Sequence, residues 1–301
     1  MTLAFTRAAL AALLVSTVPA APALAHAVCG NRVFPPTLTM DDPGMDDEMS
    51  LPTVQYTPIP ASGGTPSGSV TSYGFEWDKT ITKTFGFAIN GDYITQRGAG
   101  ENLNGWDNVT VTLKDQFYCN EPHEFMMSAG VAREFAGTGS GQLLRAGAID
   151  TVGNTAPILY AGKGLGDVPV DLLRPFAVTA ELGYAFSDSP AASPREWDYA
   201  VSLQYSLPYL NQHVRALNAP EFFTHLIPLV EFVYAAPQGG PTTGTIAPGL
   251  FYEGDTWQVG AEAIIPANAA SRQAQGTGFI VQFHLFLDDL FPNSIGKPLI
   301  D

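Results

Sequence analysis

The sequence predicts an all-β protein: an antiparallel transmembrane β-barrel of about twelve strands with an N-terminal periplasmic segment. Three observations predict it, namely a regular two-residue alternation, a polar face of small residues, and tryptophans at proposed strand ends. Of the 301 residues, 46% are apolar and only 14% are charged. Soluble domains carry about 25% charged residues. The chain is therefore short of the residues that cover a solvated surface.

The charge balance excludes one class of partner. The chain has 14 Lys and Arg against 29 Asp and Glu, a net charge of −15. Nucleic-acid-binding proteins need a basic surface, so no nucleic-acid partner is expected. The two cysteines are too few for a cysteine-rich zinc module or a disulfide-dense scaffold.

The N-terminus has the pattern of a secretory signal peptide over residues 1–25. A short positively charged start precedes an apolar run at Ala8–Val18 and an A-x-A cleavage site at Ala23–Ala25. A membrane-anchoring helix is the alternative, but the run is short and two prolines follow it closely. No later segment is apolar for long enough to be a transmembrane helix. A secreted chain of this composition is either a globular β protein or a barrel in the cell outer membrane.

Alternation of apolar and polar residues identifies the strands. The segment Ser69–Asp78 places Thr71, Tyr73, Phe75 and Trp77 on one face. The same pattern recurs in Ile81–Tyr93, Asn108–Tyr118, Phe176–Phe186, Trp197–Leu207 and Phe279–Leu287, and less cleanly in Phe125–Phe135, Leu226–Tyr234, Thr245–Glu253 and Trp257–Ile265. Alternation alone does not separate a soluble β protein from a membrane barrel.

The polar face and the tryptophans favour the barrel. The polar face carries Gly, Ser, Thr, Gln and Glu with few Lys or Arg, unlike a water-facing surface. The tryptophans at or beside strand ends are expected to form a membrane-interface belt against outer-membrane lipid: Trp77, Trp106, Trp197 and Trp257. In a soluble core, tryptophans would lie mid-strand about as often.

The connections set the strand count. Short and long connections alternate along the chain if Val54–Pro58 is a first, weak strand. This count gives twelve strands. Because the number is even, both termini lie on the periplasmic side. Ten strands is the alternative, if Val54–Pro58 and Pro157–Gly162 lie outside the wall. The predicted barrel covers residues 53–288, followed by a C-terminal extension over 289–301.

The alternation of short and long connections places Cys119 in a periplasmic turn. Cys29 lies near the N-terminus, which the same count places on the periplasmic side. In an oxidising compartment a Cys29–Cys119 disulfide is expected, with two separate thiols as the alternative. The bond would pin the N-terminal segment, residues 26–52, to the periplasmic mouth of the barrel.

The N-terminal segment is acidic. Met40–Met49 packs five carboxylates among three methionines, without the spacing of an EF-hand. Methionine sulfur could bind Cu(I), but we assign no metal and no cofactor. A solvated acidic tail or a periplasmic plug is the preferred interpretation. The segment is also a possible docking element for a periplasmic protein.

Motifs for catalysis are missing. The sequence has no G-x-S-x-G, no H-E-x-x-H, no P-loop and no G-x-G-x-x-G after a strand. We therefore assign no catalytic residues, and an outer-membrane lipid-modifying enzyme with a remote Ser–His pair is only a distant alternative.

The polar face supplies the candidate functional residues. Those predicted to line the lumen are Glu76, Lys114, Glu181, Gln204, Glu231, Glu262, Gln282 and His284. Glu181, Glu231 and Glu262 fall near mid-strand. They indicate either a water-filled passage that favours cations or a packed interior of hydrogen-bonded carboxyls. Twelve strands make a narrower barrel than the 16–18 strands of the wide porins, so both interpretations stay open.

The segments Gly162–Pro169 and Leu173–Phe186 resemble uncharacterised Gram-negative outer-membrane β-barrel proteins, which are similar to putative transporters of aromatic (phenol) degradation pathways. The resemblance covers roughly Leu51 to Asp301. It implies a barrel and passage of a small-molecule solute, and it supplies no catalytic residues. The chain lacks the C-terminal Phe that is common in such barrels. A non-conducting barrel with a structural or partner-binding role is the alternative function.

Overall fold

The computed structural model describes residues 27–300, so the predicted signal peptide lies outside the described residues. Antiparallel strands dominate the described part. Their bounds are β1 Ala27–Cys29, β2 Arg32–Phe34, β3 Glu48–Ile59, β4 Gly68–Thr80, β5 Phe85–Gly98, β6 Leu103–Trp106, β7 Val109–Asn120, β8 Phe125–Phe135, β9 Asn154–Gly164, β10 Phe176–Ser187, β11 Glu196–Tyr205, β12 Leu226–Pro237, β13 Thr243–Glu253, β14 Trp257–Pro266 and β15 Gly278–Phe286.

The helices are short and lie in the connections. They are α1 Gly141–Ala146, α2 Leu207–Tyr209, α3 Glu221–Thr224, α4 Ala269–Ala274 and α5 Leu287–Leu290, with a 3-10 turn at Glu121–His123 and a π turn at Leu210–Val214. Between residues 27 and 300, no helix is long and apolar enough to span a membrane.

The sheet closes into a barrel of twelve strands, as predicted. Each wall strand pairs with its chain neighbours, and β15 pairs with β3 through Phe279 and Tyr56 to close the ring. Strands β6 and β7 both pair with β5, at opposite ends of it, and together form one interrupted wall strand. The predicted weak strand Val54–Pro58 is the centre of β3, which is longer at both ends.

The two rims of the barrel differ in their connections. One rim, here called the short-turn rim, has the turns 81–84, 121–124 and 254–256 together with the start of β3 and the end of β15. It also has two longer connections, 165–175 and 206–225. The opposite, long-loop rim has the connections 60–67, 136–153, 188–195, 238–242 and 267–277 and the interruption between β5 and β7.

The outer wall is apolar. Exposed and buried residues alternate along β11, β14 and β15, because successive side chains of a strand point to opposite faces. The exposed members are large apolar side chains on many strands, including Leu113, Val131, Leu159, Leu182, Val201, Leu250 and Val281. Exposed apolar surface of this extent is typical of contact with a membrane or another protein.

Aromatic rings gather near both rims. At the short-turn rim, Trp77 contacts Phe87, and Trp257 stacks between Tyr252 and Phe283. At the long-loop rim, Trp106 contacts Tyr93 and Trp197 contacts Tyr184. The four tryptophans thus divide into two per rim, with an apolar band of wall between them.

Residues 30–47 of the acidic N-terminal segment lie inside the barrel and are not a solvated tail, whereas residues 48–52, predicted as part of that segment, begin the wall strand β3. Strands β1 and β2 form a small hairpin at the short-turn rim, and the chain then folds through the interior before β3 begins. We call residues 30–47 the plug. Phe34 is fully buried, and Leu38 packs against Ile227 and Phe251 of the wall. The plug interpretation is therefore favoured over the solvated tail.

Candidate functional site

A covalent bond and an ion cluster fix the start of the plug. The predicted disulfide between Cys29 and Cys119 is confirmed. Next to it, the buried Arg32 guanidinium donates to Glu124 Oε2 at 3.3 Å and to the carbonyls of Arg174 and Pro175 at 2.5 and 3.1 Å. Its charge lies 3.8 Å from the ring centre of Tyr209. These contacts join the plug to three connections of the short-turn rim: 121–124, 165–175 and 206–225.

Burial opposes the charges of this cluster. It lowers the pKa of the Arg32 guanidinium, while the neighbouring Glu124 carboxylate acts in the opposite direction. Burial also raises the pKa of Tyr209, whose hydroxyl donates to Glu124 Oε1 at 2.7 Å. The two charged groups therefore depend on each other, because either one alone would be buried without a counter-charge.

The other end of the plug is fixed at Asp47. Its carboxylate accepts hydrogen bonds from Lys79 Nζ at 2.6 Å and from the backbone N–H and hydroxyl of Thr80 at 2.9 and 2.5 Å. Both Asp47 and Lys79 are almost fully buried. The plug thus enters and leaves at the same rim.

Three wall strands hold the middle of the plug. On β7, Lys114 Nζ donates to Asp41 Oδ2 at 2.9 Å and to the carbonyl of Asp42 at 2.7 Å. On β10, Glu181 accepts the backbone N–H of Asp41 at 3.1 Å. On β12, Glu231 accepts the N–H and hydroxyl of Thr39. Three of the predicted lumen residues therefore contact the plug directly.

Glu262 approaches Glu231 across β13. Gly249 is opposite Glu262 in the sheet, Ala247 is opposite Glu231, and a Cβ at Gly249 would collide with Glu262 Cγ. Both carboxyls are buried, at 0% and 3% exposure, and the two side chains lie within hydrogen-bonding reach of each other. Two facing buried carboxylates cannot both stay charged. This part of the interior is therefore packed, with no open space between the two side chains.

Three further residues predicted for the lumen form side-chain contacts with other residues of the wall strands. Gln204 Nε2 lies 3.4 Å from Ser202 Oγ, and Gln282 Nε2 donates to Thr53 Oγ1 at 3.0 Å. His284 lies 2.8 Å from Ser50 Oγ through Nδ1 and 2.9 Å from Glu48 Oε2 through Nε2. All three side chains are buried.

Above the plug the interior is open. A cavity of about 430 Å³ has plug residues 36–42 on one side and the wall on the other. Of the predicted lumen residues, Glu76, Glu181 and Gln282 line it. Its acidic lining residues are Asp41, Asp42, Glu48, Glu76, Asp92 and Glu181.

A second cavity of about 380 Å³ lies towards the long-loop rim, lined in part by Asp107, Glu134 and Asp150. The two cavities share Asn90, Asp92 and Thr110. We call the combined space the vestibule. Its lining residues, all within 27–300, include no Lys and no Arg.

Sequence reasoning recovered only some of the acidic residues of the outer cavity. Alternation places Asp92 and Glu134 on the polar faces of their strands. Asp107 and Asp150 lie in connections, where alternation gives no face. Burial raises the pKa of Asp107, and the hydrogen bond from the Asn108 N–H acts in the opposite direction. No group of three or more His, Cys, Asp or Glu side chains in the described part of the chain could hold a metal ion.

Comparison with known proteins gives structural neighbours but no family. No protein-family model matches the chain, and no curated protein matches it. Solved structures that resemble it include a KdgM porin, with 13% identity, a TM-score of 0.46, and coverage of 77% of this chain and 98% of that one. A second is the KdgM porin in complex with disordered oligogalacturonate, with 14% identity, a TM-score of 0.47 and coverage of 78% and 98%.

A third is an outer membrane channel from Pseudomonas putida F1, with 12% identity, a TM-score of 0.48 and coverage of 84% and 99%. These neighbours are outer-membrane β-barrel channels. At such low similarity their functions do not transfer to this chain. Nothing in the matches supports the expected similarity to transporters of aromatic degradation.

Proposed function

We propose that this protein lies in the cell outer membrane and passes small solutes through its barrel, with a preference for cations. The observation that carries the proposal is the vestibule, a polar space lined by carboxylates that reaches from the long-loop rim to the plug. Carboxylates in a low-dielectric wall concentrate cations and repel anions.

The outer surface supports the location. A closed barrel pairs its backbone groups internally, which a lipid environment requires. The apolar band of the wall and the aromatic rings near both rims fit the core and the two interfaces of a bilayer. Outer-membrane barrels have short periplasmic turns and longer external loops. On that rule the vestibule opens outwards and the plug closes the periplasmic side.

The location has a direct test in gel electrophoresis. Unheated protein in detergent should migrate differently from a boiled sample, since a closed barrel resists unfolding by detergent until it is heated. Fractionation of cells should recover the mature chain with outer membranes. Recovery as a soluble periplasmic monomer would contradict the membrane location.

Selectivity tests the proposed function. A variant with Glu76→Gln and Glu181→Gln should have a lower cation-to-anion permeability ratio, because both carboxylates line the vestibule and Gln keeps their shape and hydrogen bonding. The measurement is the reversal potential of the full-length protein in planar bilayers across a salt gradient. A Glu101→Gln variant is the control, since Glu101 is exposed outside the vestibule. An unchanged reversal potential in the double variant would contradict the assignment of the two residues.

One observation favours the alternative of a non-conducting barrel. The plug is held at its start, middle and end by contacts with the rim and the wall. A wild-type protein that gives no current under any tested voltage would support that role. The acidic segment is poorly placed to dock a periplasmic protein, because Asp42 and Asp47 are buried inside the barrel.

A further inference from the structure

The carboxylates of the vestibule are spread along its length. A deep group near the plug includes Asp41, Glu76 and Glu181. An outer group at the long-loop rim consists of Asp107, Glu134 and Asp150. Asp92 lines both cavities and lies between the two groups. Negative charge is therefore distributed along an elongated path and does not converge on one point.

Within residues 27–300, one buried acceptor that lines this path has no donor from the protein. Gln282, which lines the deep cavity and is only 8% exposed, has no donor for its Oε1. Lys114, the cation that contacts the deep group, is occupied by Asp41 and the Asp42 carbonyl. Buried acceptors without donors are costly, so a ligand rich in N–H donors would satisfy what the protein leaves open.

The surface between the charges is partly apolar. Ala88, Ala132, Ile158 and Ile280 line the deep cavity together with the carboxylates. A divalent metal ion would need convergent oxygen ligands and gain nothing from apolar contacts. The described residues contain no convergent group able to hold such an ion. Alternating charge and apolar surface instead fit a flexible chain in which ammonium groups are separated by methylene segments.

We infer that the vestibule binds a linear organic polycation, of the polyamine class, with its ammonium groups against Glu76 and Glu181 at the deep end, Asp92 in the middle and Glu134 near the rim. The inference rests on the proposed function in taking the vestibule as the solute path. It adds the chemical class of the solute and a binding step before any passage.

The test is isothermal titration calorimetry of the full-length protein in detergent with spermidine. We expect spermidine to bind at least about tenfold more tightly than n-butylamine at equal ionic strength, because additional ammonium groups reach additional carboxylates. Mg²⁺ should bind more weakly than spermidine despite its compact charge. Equal affinity for Mg²⁺ and spermidine would overturn the inference, since it would show attraction by charge alone.

Variants locate the site. Asp92→Asn and Glu134→Gln should each weaken spermidine binding by about tenfold, because each removes one charged acceptor. The exposed Glu101→Gln variant should bind like the wild type. A heat-dependent shift on gels shows which variants have folded, and with two positions tested the site does not depend on either variant alone. Unchanged affinity in both folded variants would overturn the inference.

Binding and passage are separable outcomes. Spermidine binding by a barrel that carries no current would support the ligand class and contradict the proposed passage. A cation-selective current without spermidine binding would support passage and overturn the ligand class.

Discussion

A Lys114→Met variant should conduct ions far better than the wild-type protein in planar bilayers. Met keeps the length of the side chain but removes both hydrogen bonds to the plug, at Asp41 and at the Asp42 carbonyl. Hydrogen bonds to charged groups contribute about 1.5–3 kcal/mol each. Losing even one such bond would shift the equilibrium between the seated and displaced plug by about tenfold or more.

The control for this variant is Lys83→Met. Lys83 is exposed in a turn of the short-turn rim, so its replacement removes one positive charge without touching the plug. Its conductance should stay at the wild-type level. If folded Lys114→Met protein also conducts like the wild type, Lys114 does not hold the plug closed.

An Arg32→Ala variant should lose stability by about 3–5 kcal/mol, the usual cost of breaking a buried ion pair from one side. The change leaves the Glu124 carboxylate without its counter-charge and the carbonyls of Arg174 and Pro175 without a donor. The denaturation midpoint of the folded barrel in urea, followed by the gel shift, measures the loss.

Two further variants give this measurement its scale. Arg145→Ala removes an exposed guanidinium on α1 and should change stability by less than about 0.5 kcal/mol. The denaturation midpoint of Arg32→Lys should lie between those of Arg32→Ala and Arg145→Ala. Lys keeps the positive charge but lacks the planar guanidinium that reaches three acceptors at once. Equal midpoints for Arg32→Ala and Arg145→Ala would show that the cluster does not stabilise the short-turn rim.

The wall of the barrel was predictable from sequence because the side-chain period of a strand is two. Alternation identified the strands, and counting connections as short or long placed Cys29 and Cys119 at the same rim, where they are bonded. The interruption of the wall strand formed by β6 and β7 was not predicted, because residues 96–105, which contain most of β6, have the composition of a loop.

The sequence predicts which side chains point into the barrel. It does not predict how deep each one lies or whether the plug covers it. Alternation predicts that Glu181 and Glu231 both face the lumen. Glu181 lines the vestibule, whereas Glu231 is covered by the plug. The difference depends on how far residues 30–47 reach into the barrel, which is a tertiary contact without a local pattern. Arg32 went unnoticed for the same reason, because its partners come from connections 90 and more residues away.

The ends of the plug lie on one rim: the disulfide of Cys29 holds one, and the start of β3 at Glu48 holds the other. The plug is therefore tethered at both ends to the short-turn rim. A plug displaced from the wall would stay at a high effective concentration beside its own binding surface. Its closing rate should not depend on how much protein the membrane contains. Because both tethers lie on the short-turn rim, the plug could be displaced and return many times without being lost from the barrel.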